Sequence, residues 1–253
     1  LCYIGFDADR QLVFGANYHK GQVLAYHYSK TSGLRLTDKI QFKGSGPHPN
    51  QEKSHLHFCD LTPDAYLVTC DLGTDMVRTF DISSGGKLKQ IAEYHAHSGS
   101  GSRHIVFHPH NNKAYLLGEL DASVEVLDYL GKGQFQHCQT ISSLPHDYSG
   151  FNASAAIRLT SDGRFFYVSN RGHDSIASFE VGENGKLTLL AISSSFGKTP
   201  RDFNFSMNED YVIVRHQDSD NVSIFKRDQT NGKLDLISKE TIILEAICVA
   251  KSQ

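Results

Sequence analysis

A chain of 253 residues with 39% hydrophobic and 21% charged content is long enough to bury a core of its own. Its formal net charge of −3 supplies no basic field to gather nucleic acid. It carries no apolar run of the length a membrane-spanning helix needs, and neither a signal peptide nor a membrane partner is expected.

In chain order, one block of roughly 25 residues recurs five times. The copies are GFDADRQLVFGANYHKGQVLAYHY (5–28), FCDLTPDAYLVTCDLGTDMVRTFDI (58–82), IVFHPHNNKAYLLGELDASVEVLDY (105–129), IRLTSDGRFFYVSNRGHDSIASFEV (157–181) and FNFSMNEDYVIVRHQDSDNVSIFKR (203–227). Aligned on Asn17, Asp71, Gly118, Asn170 and His216, they step by 54, 47, 52 and 46 residues. A period near ~50 with four short strands per unit is the pattern of a β-propeller blade.

The third copy shows the strands most clearly. RHIVFH alternates as a strand, PHNN turns, KAYLLGE is a second strand, LDAS turns, VEVLDY is a third, and GKGQFQHCQTI carries a glycine turn into a fourth. The glycine turn returns as SGGKL (84–88), GENGKL (182–187) and TNGKL (230–234). No window keeps a 3.6-residue apolar period, so essentially no helix is expected. The expectation is an all-β chain, a single β-propeller domain over residues 1–253 with five visible four-stranded antiparallel blades.

The last segment, EAICVAK (245–251), looks like a sixth first strand with nothing after it. The first copy already has its own first strand, so this one is surplus to five blades. The expectation is a ring truncated at its N-terminus, with further blade sequence lying before Leu1.

The five cysteines are Cys2, Cys59, Cys70, Cys138 and Cys248, an odd number with no CxxC pair. Cys59 and Cys248 stand in apolar strand segments, where a thiol packs as a small hydrophobe. Free core thiols suit a reducing compartment, and a cytoplasmic location is expected.

In an antiparallel hairpin the start of strand one lies beside the end of strand two. The first position reads Cys2, His57, Arg103, Ala155 and Arg201 down the five copies. The second reads Tyr18, Leu72, Glu119, Arg171 and Gln217. His57, Glu119, Arg103, Arg171 and Arg201 are therefore the candidate site residues, gathered at one end of the blades. Each also has a structural reading. Arg103 and Glu119 suit an exposed cross-strand ion pair. Arg171 suits a turn residue bonding backbone carbonyls, His57 a satisfied strand histidine, and Arg201 a loop cation.

Other motifs are weaker. The HxH pairs His55/His57, His95/His97 and His108/His110 lack the further ligands of a metal site, and no metal or other cofactor is expected. The SGSGS run (98–102) resembles a phosphate cradle but precedes a strand rather than a helix.

At SHLHF (54–58), GSGSRHIVFHP (99–109), GELDASV (118–124), YVSNRGHDSIASF (167–179) and KTPRDFNF (198–205) the sequence resembles the seven-bladed β-propeller lactonases. That family includes bacterial 6-phosphogluconolactonases and fungal carboxymuconate cyclases. The resemblance runs over the whole chain and implies seven blades, with site residues at His57, Arg103, Glu119 and Arg171. The chain departs from the family pattern at Ser102, Ala156 and Gly118, where Pro, an acidic residue and Asn are usual.

The implied activity is metal-independent hydrolysis of a phosphorylated sugar lactone, 6-phosphogluconolactone to 6-phosphogluconate in the pentose phosphate pathway. Glu119 or His57 would be the general base. His57 is favoured, because flanking arginines hold Glu119 ionised and make it a weaker proton acceptor. Arg103, Arg171 and Arg201 would bind substrate, with Arg103 and Arg171 on the oxyanion or phosphate. A lactonising cycloisomerase would use the same residues, and a non-enzymatic binding propeller stays open. The partner is a small molecule; the sequence does not set the oligomeric state.

Overall fold

The computed structural model describes residues 1–244 and 247–250. Those residues form twenty β-strands and no helix. Strands β1 (Tyr3–Asp7), β2 (Leu12–Asn17), β3 (Gln22–Ser29) and β4 (Gly33–Gln41) make the first sheet. Strands β5 (Leu56–Leu61), β6 (Leu67–Asp71), β7 (Met76–Ile82) and β8 (Leu88–His95) make the second. The third holds β9 (Ser102–Phe107), β10 (Lys113–Gly118), β11 (Ser123–Tyr129) and β12 (Phe135–Ser142). The fourth holds β13 (Ala153–Leu159), β14 (Phe165–Arg171), β15 (Ser175–Val181) and β16 (Leu187–Ser194). The fifth holds β17 (Pro200–Phe205), β18 (Tyr211–His216), β19 (Asn221–Arg227) and β20 (Leu234–Ile242). Each sheet is an antiparallel meander in chain order, as a series of β-propeller blades requires.

The chain has two compact units. One comprises Leu1–Phe107, Asn112–Leu120 and Leu127–Cys138; the other comprises His108–Asn111, Asp121–Val126 and the chain from Gln139 onward. In the first unit, Leu12, Phe14 and Val23 bury against Leu56, Leu67 and Phe80, joining the first two sheets. Phe58, Val68 and Val77 bury against Ile105, Leu116 and Leu127. In the second unit, Tyr167 and Ile176 pack on Phe203, Val214 and Phe225. Inner strands such as β6 and β14 are buried on both faces, which explains their unbroken apolar sequences. The fourth strands are largely exposed and carry the polar residues.

Two local devices repeat with the sequence. Between strands two and three the chain turns through a left-handed residue at equivalent places: Gly21, Asp75, Ala122, Asp174 and Asp220, all with φ between 53° and 58°. Between strands three and four, Gly33, Gly86, Gly133, Gly185 and Gly232 take positive φ in the expected glycine turns.

The second device is a bulge. In sheets two to five the pairing of the first two strands slips near its start, leaving His57, Arg103 and Arg201 as added residues in sheets two, three and five and setting Ala155 and Ala156 against one residue in sheet four. The first sheet pairs without a slip. A bulge re-aims the side chain it carries.

The expected sixth first strand falls partly on residues 245, 246 and 251, which lie outside the described residues. Its described part, residues 247–250, forms no strand. The Val249 N–H donates to Asp202 Oδ2 (2.8 Å) and its carbonyl accepts from Asn204 Nδ2 (3.0 Å). Side chains of β17 thus occupy the backbone groups that a strand ladder would use.

Candidate functional site

Three of the expected residues meet in the first unit. Arg103, on the bulge of β9, donates from Nε to Glu119 Oε2 at 2.6 Å. Glu119 follows β10, and its N–H donates to the Gly101 carbonyl at 2.9 Å. Arg103 is 3% exposed, so this is a shielded pair rather than a solvated surface contact. Arg103 Nη1 lies 3.2 Å from His104 Nε2. The His104 ring stands edge-on to His57, with centroids 5.1 Å apart and an angle of 62°. His57 is buried on the bulge of β5.

The approach to β5 is clamped. Asp71, the last residue of β6, accepts from Ser54 Oγ (2.7 Å) and from the His55 N–H (2.8 Å). A Cβ on Gly73 would lie 1.8 Å from the Lys53 carbonyl, so only glycine lets the two segments approach this closely. The Cys2 thiol donates to the carbonyls of Leu56 (3.4 Å) and His57 (3.3 Å). Burial pushes that thiol's pKa up, against the pull of the Arg103 charge.

Tyr18 closes the cluster. Its ring stacks on His55 at 4.3 Å and stands edge-on to His57 at 5.9 Å. His55 Nε2 lies 3.0 Å from Glu52 Oε1, and its Nδ1 lies 3.3 Å from the Tyr18 carbonyl. The hydrogen bond from His55 draws the Glu52 carboxyl below its usual range. Sequence reasoning passed over Tyr18, His55 and His104. Tyr18 was within reach, because it holds the same repeat place as Glu119 and Arg171. His104 was not: neighbours on a regular strand face opposite ways, and only the bulge lets it touch Arg103.

Arg171 and Arg201 belong to the second unit. Arg171 donates from Nε to the Ala153 carbonyl (2.9 Å) and from Nη2 to the Ser154 carbonyl (3.5 Å), lying over the first strand of its own sheet. Arg201, on the bulge of β17, reaches Gln217 Oε1 at 3.5 Å.

The SGSGS run is not an open phosphate cradle. The N–H groups of Gly99 (2.7 Å) and Gly101 (2.6 Å) donate to the carboxylate of Asp75, which also accepts from Gln51 Nε2 at 2.7 Å. The anion in this loop is the protein's own. The repeat-equivalent Asp174 likewise accepts from the Thr199 N–H at 2.9 Å. His108 and His110 face the carbonyls of Gly163 and Ser161. Among the described residues no group of three or more His, Cys, Asp or Glu is placed to hold a metal ion. Among the described residues no helix is long and apolar enough to cross a membrane.

Chemically, the first unit offers a guanidinium fixed by a carboxylate, imidazoles beside it and a phenol ring edge-on to His57. That set can stabilise an oxyanion, accept a proton and donate one. Comparison with known proteins points to one chemistry. The family described as Lactonase, 7-bladed beta-propeller matches residues 1–251. An uncharacterised protein of Lactococcus lactis is 52% identical over 251 residues, covering 98% of this chain and 74% of that protein. A 6-phosphogluconolactonase of Bacillus subtilis is 36% identical over 252 residues, covering 98% of this chain and 72% of that protein. The solved structure of the periplasmic gluconolactonase of Pseudomonas aeruginosa superposes with a TM-score of 0.91 at 29% identity, covering 96% of this chain and 70% of that one.

Proposed function

We propose that this chain, which belongs to the seven-bladed β-propeller lactonase family, hydrolyses a sugar lactone, with 6-phosphogluconolactone as the substrate. The observation that carries the reading is the shielded Arg103–Glu119 pair at 2.6 Å in one cluster with His57. Hydrolysis of an unactivated ester needs a base for water and a fixed positive charge at the carbonyl oxygen. His57 takes the proton of the attacking water. Arg103, oriented by Glu119, faces the charge that develops on the carbonyl oxygen. These steps call on side chains alone and route nothing through a metal. Arg171 and Arg201, in the second unit, are the candidates for binding an anionic group, since a guanidinium suits phosphate.

The name of the Bacillus relative supports the phosphorylated substrate and, with it, a place in the pentose phosphate pathway. The name of the Pseudomonas relative favours a second reading, an unphosphorylated gluconolactone. The free cysteines support a cytoplasmic location. The test is proton release from freshly generated 6-phosphogluconolactone and from glucono-1,5-lactone. Preference for the first supports the proposal. Preference for the second moves the substrate, and release at the uncatalysed rate from both removes the lactonase reading. For a phosphate ligand, Arg171→Met raises KM for the phosphorylated lactone about tenfold or more and leaves the other unchanged.

A further inference from the structure

We propose that Tyr18 is a further catalytic residue, whose phenol gives a proton to the lactone's ring oxygen as the ring opens. The inference rests on the lactonase reading and asks which group supplies the second proton transfer. An alkoxide is a poor leaving group, and ring opening needs an acid at that oxygen. The arginine keeps its proton at any working pH. A Glu119 carboxylate paired with Arg103 has none to give. The His57 imidazole is engaged with the proton from water.

Tyr18 has the place and the rigidity for the task. It follows β2 at the repeat position that Glu119 holds in the third sheet. Its ring is stacked at 18° on His55 and meets His57 at 84°. His55 is itself tied to Glu52 and to the Tyr18 backbone, so the ring has support on one face and a neighbour at its edge. The half-buried phenol senses the charges of Glu119, Glu52, Cys2 and Arg103. Burial, followed by the Glu119 charge, pushes its pKa above the ordinary tyrosine value, so at neutral pH it is a donor.

The steps balance. Water adds its oxygen to the carbonyl carbon and its proton passes to His57. The tetrahedral oxyanion collapses, the bond from carbon to ring oxygen breaks, and that oxygen takes the Tyr18 proton. The proton on His57 returns to the phenolate, and the new carboxylic acid ionises into solution.

Tyr18→Phe keeps the ring against His55 and His57 and removes only the hydroxyl. The experiment measures proton release by wild type and variant on whichever of the two gluconolactones the wild type hydrolyses. The expected result is a kcat lower by about 10²-fold with KM within about threefold. Wild-type turnover with a variant kcat within about threefold of it overturns the Tyr18 role and leaves the lactonase reading standing. A wild type without turnover overturns the reading, and the role with it. A second measurement reads placement. In ultraviolet difference titration of the protein against Tyr18→Phe, Glu119→Gln should lower the pH at which Tyr18 ionises. An ionisation unmoved by that change contradicts the phenol's place beside Glu119.

Discussion

In the proposed reaction His57 is the base and Glu119 orients Arg103, and single substitutions test that assignment. With His57 as base, His57→Ala lowers turnover by about 10²-fold or more and removes the acidic limb that an imidazole base gives the rate profile. If Glu119→Gln abolishes turnover while His57→Ala leaves the profile unchanged, the roles are reversed. His216 tests another kind of proton. It is fully buried at the end of β18, with Nδ1 against the Asn221 carbonyl at 3.1 Å. Burial holds its pKa below the ordinary 6.5. The unfolded chain therefore binds a proton that the folded chain refuses as pH falls through 6.5. Stability from this residue is complete above that pH and declines below it, by up to about 1.4 kcal/mol per pH unit, until the folded pKa is passed. His216→Asn, the residue type at the equivalent Asn17 and Asn170, should flatten that decline in urea titrations between pH 5 and 7. An unchanged slope contradicts the assignment.

Among the elements, the segments leading into β5 and β9, which carry His57 and Arg103, are each held by a carboxylate, Asp71 and Asp75. Asp75 holds the loop into β9 through the N–H groups of Gly99 and Gly101. Asp75→Ala leaves those donors without their acceptor, at about 1–3 kcal/mol for each one that stays buried. Chemical denaturation reads the loss, and activity should fall with it because the same loop delivers Arg103. A variant as stable as wild type contradicts this role. The loop also marks how far the sequence could be read. Strands and glycine turns were legible because alternation and Gly-rich pairs are local signals. The SGSGS run looked like an open cradle because its acceptor, Asp75, comes from a turn in the preceding sheet. The segment 245–251 looked like a strand from its own residues. The bonds from Asp202 and Asn204 to Val249 were not visible there.

For the whole molecule, the recurring block was enough to place all five described sheets, because the steps between anchors recur in the left-handed turn residues. His57 and Arg103, picked out by their place in the repeat, both fall on the bulge. Their contacts with His104 and Tyr18 needed coordinates, as register slips leave no mark in composition. The buried core makes a prediction of its own. Cys59 and Cys70 are fully buried, while Cys2 and Cys248 are exposed. Alkylation of the native protein should reach Cys248 first, Cys2 more slowly because its sulfur is held against the Leu56 and His57 carbonyls, and Cys59 and Cys70 only with unfolding. Early modification of Cys59 or Cys70 contradicts the packing of the first unit. The central claim is that the Arg103–Glu119 cluster hydrolyses a lactone, and Arg103→Lys tests it most directly. Lysine keeps the charge beside Glu119 but loses the planar fork. The measurement is kcat for 6-phosphogluconolactone, with the melting temperature as control. A fall of about 10²–10³-fold at an unchanged melting temperature is the expected result; full turnover by Arg103→Lys would contradict the account.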